Sequence, residues 1–311
     1  MKDKEPIITV LGPTATGKTG VAVRIAAELN GEVVSADSRQ VFRRMDIGSG
    51  KDLSEYQYNG VPIPYHLIDI EEPGVEYNVF RYQQAAYEAM EGIRARGKRI
   101  VLCGGSGMYV EAVLRGYRLF PVPENEPLRK ELKTHTDEEL TELLASYKSL
   151  HNDTDTSERP RLIRAIEIED YYAKHPELSE RVRPLQSAII GLCGNRDHIR
   201  ERITRRLQAR LQEGMVDEVK ALLDEGIPAE RLIRYGLEYK FVTQYLTGEL
   251  HYGDMVSLLN TAIHQFSKRQ MTWFRRMERM GFNIHWVNAE LPEEEKFREI
   301  YKWLKEEGIE S

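Results

Sequence analysis

The chain has 311 residues, 41% of them hydrophobic, and a formal net charge of −6. That length holds one large domain with an insertion, or two domains, and the composition is that of a globular protein. No apolar stretch reaches the length of a membrane span, so no membrane partner is expected, and the acidic balance argues mildly against a nucleic-acid partner as far as bulk charge can. Only Cys103 and Cys193 occur, both beside aliphatic residues and without a C-x-x-C, which predicts buried thiols in a reducing, cytoplasmic compartment. MKDKEP runs straight into the first apolar segment and leaves no room for a signal peptide.

The run Ile7–Leu11 (IITVL) predicts a strand, and residues 21–29 follow with helical spacing. Between them, Gly12-Pro13-Thr14-Ala15-Thr16-Gly17-Lys18-Thr19 fits G-x-x-x-x-G-K-[ST], the phosphate-binding P-loop, in the strand-to-helix setting its mechanism needs. Glycines let backbone N–H groups converge on a phosphate, and the helix N-terminus adds partial positive charge. Lys18 is placed to reach the outer phosphate and the Thr19 hydroxyl to ligate Mg²⁺. The motif identifies a phosphate chain, not the molecule carrying it.

Further strands are predicted at residues 32–35, 65–70 and 99–103, with a helix over 77–96. Alternating strands and helices predict an α/β fold, a P-loop NTPase-like parallel sheet flanked by helices, with ligands at the C-terminal strand ends. The P-loop, Asp37-Ser38-Arg39-Gln40 and Gly104-Gly105-Ser106-Gly107 all fall at that edge. Beyond Phe120-Pro121-Val122-Pro123 the strands stop, and helices are expected over 126–134, 137–150 and 159–174, with a polar separator at 149–157. An inserted all-helical domain over 119–183 is therefore expected, interrupting a core built from 1–118 and 184–311. A return strand (187–193), helices over 196–213, 215–224, 237–247 and 252–280, and a short strand at 283–287 complete the chain.

Several residues carry candidate chemistry beside a plainer alternative. Asp37 either holds Mg²⁺ through water or accepts a proton from a nucleophile, or it caps a turn, as Ser38 also can. Asp69 is a carboxylate behind a metal or a strand-end turn residue. The turn at Gly104 to Tyr109 admits a substrate to the backbone or is an ordinary strand-to-helix turn. Arg161 and Arg164, three apart on one helix face, suit phosphates or face solvent. Arg234 could stabilise a departing diphosphate, and Trp273 and Phe274 stack bases or pack the core. The basic runs, Arg196 to Arg210 and Lys268 to Arg279, are RNA-facing or solvated faces.

A P-loop with an arginine-bearing helical insertion also describes small-molecule and nucleotide kinases, whose insertion closes as a lid. The longer series of motifs points elsewhere. The P-loop, Ser35-Ala36-Asp37-Ser38-Arg39-Gln40-Val41-Phe42, Met45-Asp46-Ile47-Gly48-Ser49-Gly50-Lys51, His66-Leu67-Ile68-Asp69-Ile70, Gly104-Gly105-Ser106-Gly107-Met108-Tyr109 and Ser267-Lys268-Arg269-Gln270-Met271-Thr272-Trp273-Phe274-Arg275 resemble the tRNA dimethylallyltransferases, in order, over residues 7–275. Ser106 stands where that family usually has Thr, and Tyr235-Gly236-Leu237-Glu238-Tyr239-Lys240 departs from its usual Gly-Tyr-Lys core.

The resemblance implies transfer of a dimethylallyl group from dimethylallyl diphosphate to N6 of the adenosine just 3′ of the tRNA anticodon. It implies that Gly12 to Thr19 grip the diphosphate, despite a pattern ordinarily labelled ATP-binding, with Lys18 and Thr19 acting on diphosphate and Mg²⁺. Asp37 takes the N6 proton, and Arg234 assists the leaving group. The resemblance further implies that Ser38, Arg39 and Gln40 help hold the flipped base, that Ser106 contacts the nucleotide near the tunnel, and that Arg129 and the stretch Arg161-Leu162-Ile163-Arg164 contact the anticodon stem-loop from the insertion. A monomer is expected, and a paralogue acting on a free adenine nucleotide stays open as an alternative.

Overall fold

The structure is a computed structural model that describes residues 5–117, 119–147, 158–176 and 184–309. By its internal contacts the chain divides into two compact units, Gly116–Arg183 and the remainder.

The larger unit opens with β1 (Ile7–Leu11), buried along its whole length, as expected of a parallel strand covered on both faces. Next come α1 (Lys18–Glu28), β2 (Gly31–Ser35), the hairpin of β3 (Gln57–Tyr58) and β4 (Val61–Pro62), β5 (Tyr65–His66), α2 (Val79–Ala95), β6 (Arg99–Gly104) and α3 (Gly107–Arg115). In the insertion, α4 (Glu126–Leu132), α5 (Asp137–Tyr147) and α6 (Arg159–Lys174) pack Leu132, Leu140, Leu144, Leu162 and Ile166 into a small core of their own. The larger unit resumes with β7 (Ser187–Cys193), α7 (Arg196–Gln212), α8 (Met215–Asp224), α9 (Ala229–Arg234), α10 (Leu237–Leu246), α11 (Tyr252–Arg279), β8 (Ile284–Asn288) and α12 (Glu293–Glu306).

The main sheet runs β5-β2-β6-β1-β7-β8, every pairing parallel. Alternate side chains of β1 enter opposite layers. Ile8 and Val10 pack with α1 and α12 through Ile25, Phe297 and Ile300. Ile7 and Leu11 pack with α2, α3 and α11 through Met90, Val110 and Phe274. A third cluster, including Val41, Phe42, Leu207, Val219, Tyr239 and Leu259, joins α7, α8, α10 and α11 to the loop after β2.

The expected strand over 65–70 is corrected to the two residues of β5. Leu67 (φ 64°) and Asp69 (φ 55°) are left-handed, which ends extended pairing. Asp69 and Asp46 both accept from the buried Lys51 ammonium, and Asp69 is not among the residues around the P-loop pocket. The β3–β4 hairpin, α9 and α12 were not anticipated. The helical spacing of Phe297, Ile300 and Leu304 is hidden by an acidic start, Glu293 to Glu295, that suits a helix N-terminus. The expected extension of α5 to residue 150, and the polar separator after it, lie outside the described residues.

Candidate active site

The P-loop turns between β1 and α1 on three left-handed residues, Gly12 (φ 151°), Ala15 (φ 64°) and Gly17 (φ 77°). At Gly12 a β-carbon would lie 2.6 Å from the Leu192 carbonyl of the neighbouring strand, so only glycine fits. Gly17 caps α1 without a side-chain hydrogen bond, so no side chain covers the first N–H groups of that helix. Inside the loop the Pro13 carbonyl accepts from Thr16 Oγ1 (2.9 Å) and Lys18 Nζ (2.8 Å). Burial pushes the Lys18 ammonium down to about 8.

Gln270, on α11, braces this loop. Its Oε1 accepts from Thr14 N (2.8 Å), and its Nε2 donates to the Gly105 carbonyl (2.9 Å). One side chain thus ties the P-loop to the turn after β6.

The β2 and β6 ends are joined as closely. Ala36 N donates to Cys103 O (2.7 Å), Ser106 N to Ala36 O (3.2 Å) and Ser38 N to Ser106 Oγ (3.1 Å). At Gly104 a β-carbon would lie 2.2 Å from Ala36 O. This zipper sets Asp37 at the strand edge, where Oδ1 accepts from Arg39 N (2.9 Å). Asp37 closes an Asx turn, the plainer of its two sequence readings, and also lines the pocket. Gln40 accepts from Ser35 Oγ (3.1 Å) and contacts the Gly50 carbonyl (3.5 Å).

These elements enclose a pocket of about 80 Å³. Lys18, Arg39, Arg206 and Arg210 supply cations to its lining, Asp37 and Glu238 carboxylates, and Thr19 a hydroxyl. Glu238, nearly buried, accepts from Arg39 Nη1 (2.7 Å) and lies 3.5 Å from Arg210 Nη1. Arg206 stands at the mouth and donates to the Gly50 carbonyl (3.2 Å). That loop is anchored by Glu218, which accepts from the backbone of Asp46 (2.8 Å), Ile47 (2.7 Å) and Gly48 (3.0 Å) and from Tyr239 Oη (2.9 Å).

Arg234 does not join this set. It is exposed at the end of α9, where a cation suits the helix dipole, and does not line the pocket. The Tyr235–Lys240 segment enters the site through Glu238 instead, its chain passing over Arg39 at Gly236, where a β-carbon would lie 2.8 Å from Arg39 Cδ. Phe274 is core, with no exposed surface. Glu238 and Gln270 were not singled out in the sequence as site residues, and Arg206 and Arg210 entered only as members of the basic run Arg196 to Arg210. The four-residue spacing of the two arginines is the one signal that could have found them.

The basic run of α7 divides along the length of the helix. Arg206 and Arg210 reach the pocket, whereas Arg196 and Arg200, with Lys268 and Arg275 of α11, line a second cavity of about 750 Å³ with no carboxylate among the described residues of its lining. In the insertion, Arg129 makes a two-pronged pair with the buried Glu167 (3.0 and 2.9 Å), and Arg164 pairs with the same carboxylate. Leu162 and Ile163 are buried in that unit's core, so their side chains serve packing rather than RNA. Arg161 is the exposed member, 3.5 Å from Glu158.

Among the described residues, no cluster of three or more His, Cys, Asp or Glu could hold a metal alone. The pocket does bring the Thr19 hydroxyl and Asp37 carboxylate together. Hard oxygen donors of that number suit a Mg²⁺ that is shared with substrate phosphates.

The profile of the IPP transferase family matches residues 40–277, and that of isopentenyl transferases matches residues 6–65. The chain is 58% identical to tRNA dimethylallyltransferase 2 of Bacteroides fragilis over 96% of its own length and 98% of the relative's. It is also 58% identical to tRNA dimethylallyltransferase 1 of Parabacteroides distasonis, over 95% and 96%. Among solved structures, the full-length tRNA isopentenylpyrophosphate transferase of Bacillus halodurans matches at 32% identity with a TM-score of 0.71, covering 97% of this chain and 96% of that one. A eukaryotic dimethylallyltransferase acting on tRNA shares the fold at 22% identity and a TM-score of 0.76, over 92% of this chain and 74% of that one.

Proposed function

We propose that this chain, which belongs to the IPP transferase family, transfers a dimethylallyl group from dimethylallyl diphosphate to N6 of the adenosine immediately 3′ of a tRNA anticodon. The observation that carries the reading is the shared pocket. A P-loop with its lysine, a carboxylate at a strand end and a guanidinium at the mouth line one small cavity.

The exocyclic amine of adenine is a weak nucleophile, so the site must help at both ends of the reaction. The N6 lone pair forms a bond to C1 of the dimethylallyl group as the C1–O bond breaks and its electron pair leaves on the diphosphate. The N6 proton passes to Asp37, whose Oδ1 is held by Arg39 N, leaving Oδ2 to accept it. Lys18 and the α1 N-terminus hold the diphosphate, and Arg206, rather than Arg234, supplies the guanidinium at the pocket mouth. Thr19 would hold Mg²⁺, with Asp37 nearby, and the ion would neutralise phosphate charge.

The target base must leave its stack, at a cost of a few kcal/mol. Ser38, Arg39, Gln40 and Ser106 form the edge that receives it, an assignment supported by their place around Asp37. Exposed Arg161, and the cavity of Arg196, Arg200, Lys268 and Arg275, suit RNA phosphates. Free Cys103 and Cys193 support a cytoplasmic setting.

The test incubates the protein and Mg²⁺ with radiolabelled dimethylallyl diphosphate and either unmodified tRNA or AMP. Label in tRNA without added ATP is expected. Label in AMP alone would move the acceptor to a free nucleotide, and turnover that strictly requires ATP, with ADP formed in proportion, would replace the transferase by a kinase.

A further inference from the structure

Arg206 and Arg210 stand one turn apart on α7, and both line the pocket. Two guanidiniums at that spacing repel one another unless an anion lies between them. Both reach across Gly50, where a β-carbon would meet Arg210 Nη2 at 1.6 Å and Arg206 Nη2 at 2.9 Å, so the bare backbone admits them. Arg206 rests on the Gly50 carbonyl. Arg210 is only 13% exposed at its side chain, and among the described residues its ion pair is with Glu238, at 3.5 Å. That carboxylate is firmly engaged elsewhere, with Arg39 at 2.7 Å. A buried guanidinium so loosely matched is short of negative charge.

The lining as a whole says the same. Four cationic side chains face two carboxylates, an excess of two positive charges in about 80 Å³. C1–O cleavage adds one negative charge to the departing diphosphate, and that group needs more cations than its bound precursor.

We propose that Arg210 is a second guanidinium for the leaving diphosphate, and that Glu238 is its positioning residue, holding Arg210 over the pocket and ceding it to phosphate. This rests on the diphosphate reading of the P-loop. Glu238 competes with the diphosphate for Arg210, so its carboxylate weakens diphosphate binding while keeping Arg210 aimed and Arg39 fixed beside Asp37.

The test uses the full chain, calorimetric titration with Mg²⁺ and inorganic pyrophosphate, and steady-state transfer to unmodified tRNA. Arg210→Met is expected to weaken pyrophosphate binding and lower kcat by about 10- to 100-fold, the scale of a lost charge-assisted hydrogen bond, with the KM for tRNA unchanged. Arg210→Lys recovers part of both. Glu238→Gln is expected to tighten pyrophosphate binding severalfold, and less so in the Arg210→Met background. A purely structural Glu238 would weaken binding when replaced. Pyrophosphate binding within twofold of wild type in Arg210→Met, or weakened in Glu238→Gln, would overturn the proposal. If Arg210→Met does not fold, as thermal melting would reveal, Arg210→Lys and Glu238→Gln carry the same comparison. Wild type that binds no pyrophosphate would instead sink the diphosphate reading itself.

Discussion

Gln270 offers the sharpest perturbation of the site, because it lines the pocket and braces both the P-loop and the turn after β6. Its amide spans Thr14 N and Gly105 O at 2.8 and 2.9 Å, with 8% of the residue exposed. Gln270→Met keeps the length and removes both bonds. Each orphaned backbone group costs roughly 1–3 kcal/mol, and water from the pocket recovers part, so about 2–4 kcal/mol is expected. For a core of this size that lowers the melting temperature by roughly 5–15 °C. Gln270→Glu separates stability from electrostatics. One oxygen still accepts from Thr14 N, but the second opposes Gly105 O and carries charge toward Lys18: Gln270 Nε2 and Lys18 Cε lie 2.5 and 3.6 Å from the same point, the ideal β-carbon of Gly105. A carboxylate about 5 Å from an incoming phosphate opposes it by ~3 kcal/mol at an effective dielectric of 20, more than a tenfold loss of affinity. Pyrophosphate affinity should therefore fall further in Gln270→Glu than in Gln270→Met, while Gln270→Met melts lower. The assay is scanning fluorimetry beside calorimetric titration with Mg²⁺ and pyrophosphate. Gln270→Met melting within a degree of wild type, with unaltered pyrophosphate binding, would refute the bracing role.

Asp37→Asn should lower prenyl transfer by roughly 10²–10⁴, the scale of a general base, while pyrophosphate still binds; near-normal kcat would leave Asp37 only its turn-closing bond. Arg161→Ala should flatten the salt dependence of tRNA binding by about one unit of slope, read from binding isotherms across ionic strength. Arg129→Ala should act on stability instead, since buried Glu167 loses a two-pronged partner; about 3 kcal/mol is expected from chemical denaturation, and an unchanged midpoint would contradict the pairing. Burial pushes the Cys103 thiol up to about 12, so at pH 8 only about one thiol in 10⁴ is ionised. Iodoacetamide should spare Cys103 in the native protein at that pH and modify it in urea; rapid native labelling at Cys103 would show the strand end opening.

The sheet was legible because buried parallel strands leave uninterrupted apolar runs: β1 and β7 begin and end where IITVL and SAIIGLC do. The P-loop was legible because its conformation demands particular residues at fixed spacing. β5 was overread because left-handed turns at Leu67 and Asp69 leave no trace in hydropathy. The cations show the limit most clearly. Arg234, Arg206 and Arg164 are equivalent as letters, yet one ends a helix in solvent, one stands at the pocket mouth, and one pairs with a buried glutamate. Spacing assigns a face to a helix, but only packing decides what that face meets. Gln270 was hidden for a similar reason, since its partners lie 256 and 165 residues away in sequence.

The acidic total bears on the same point. A net charge of −6 weighs against RNA only if charge acts as a sum over the molecule. At physiological ionic strength an exposed charge is screened over about 8 Å, so a phosphate at the pocket responds to its lining and barely to the tail. Much of the acid here is paired or remote: Glu72 with Arg43 and Arg44, Glu167 with Arg129, Glu293 at the start of α12 with Arg24. Among the described residues, surplus positive charge gathers in the pocket's lining, with four cations to two carboxylates, and in the second cavity, lined by Arg196, Arg200, Lys268 and Arg275. If these cationic surfaces bind the tRNA, as proposed, diffuse negative charge elsewhere disfavours loose, non-specific RNA contacts without weakening them, and discrimination and affinity then reside on different parts of one chain.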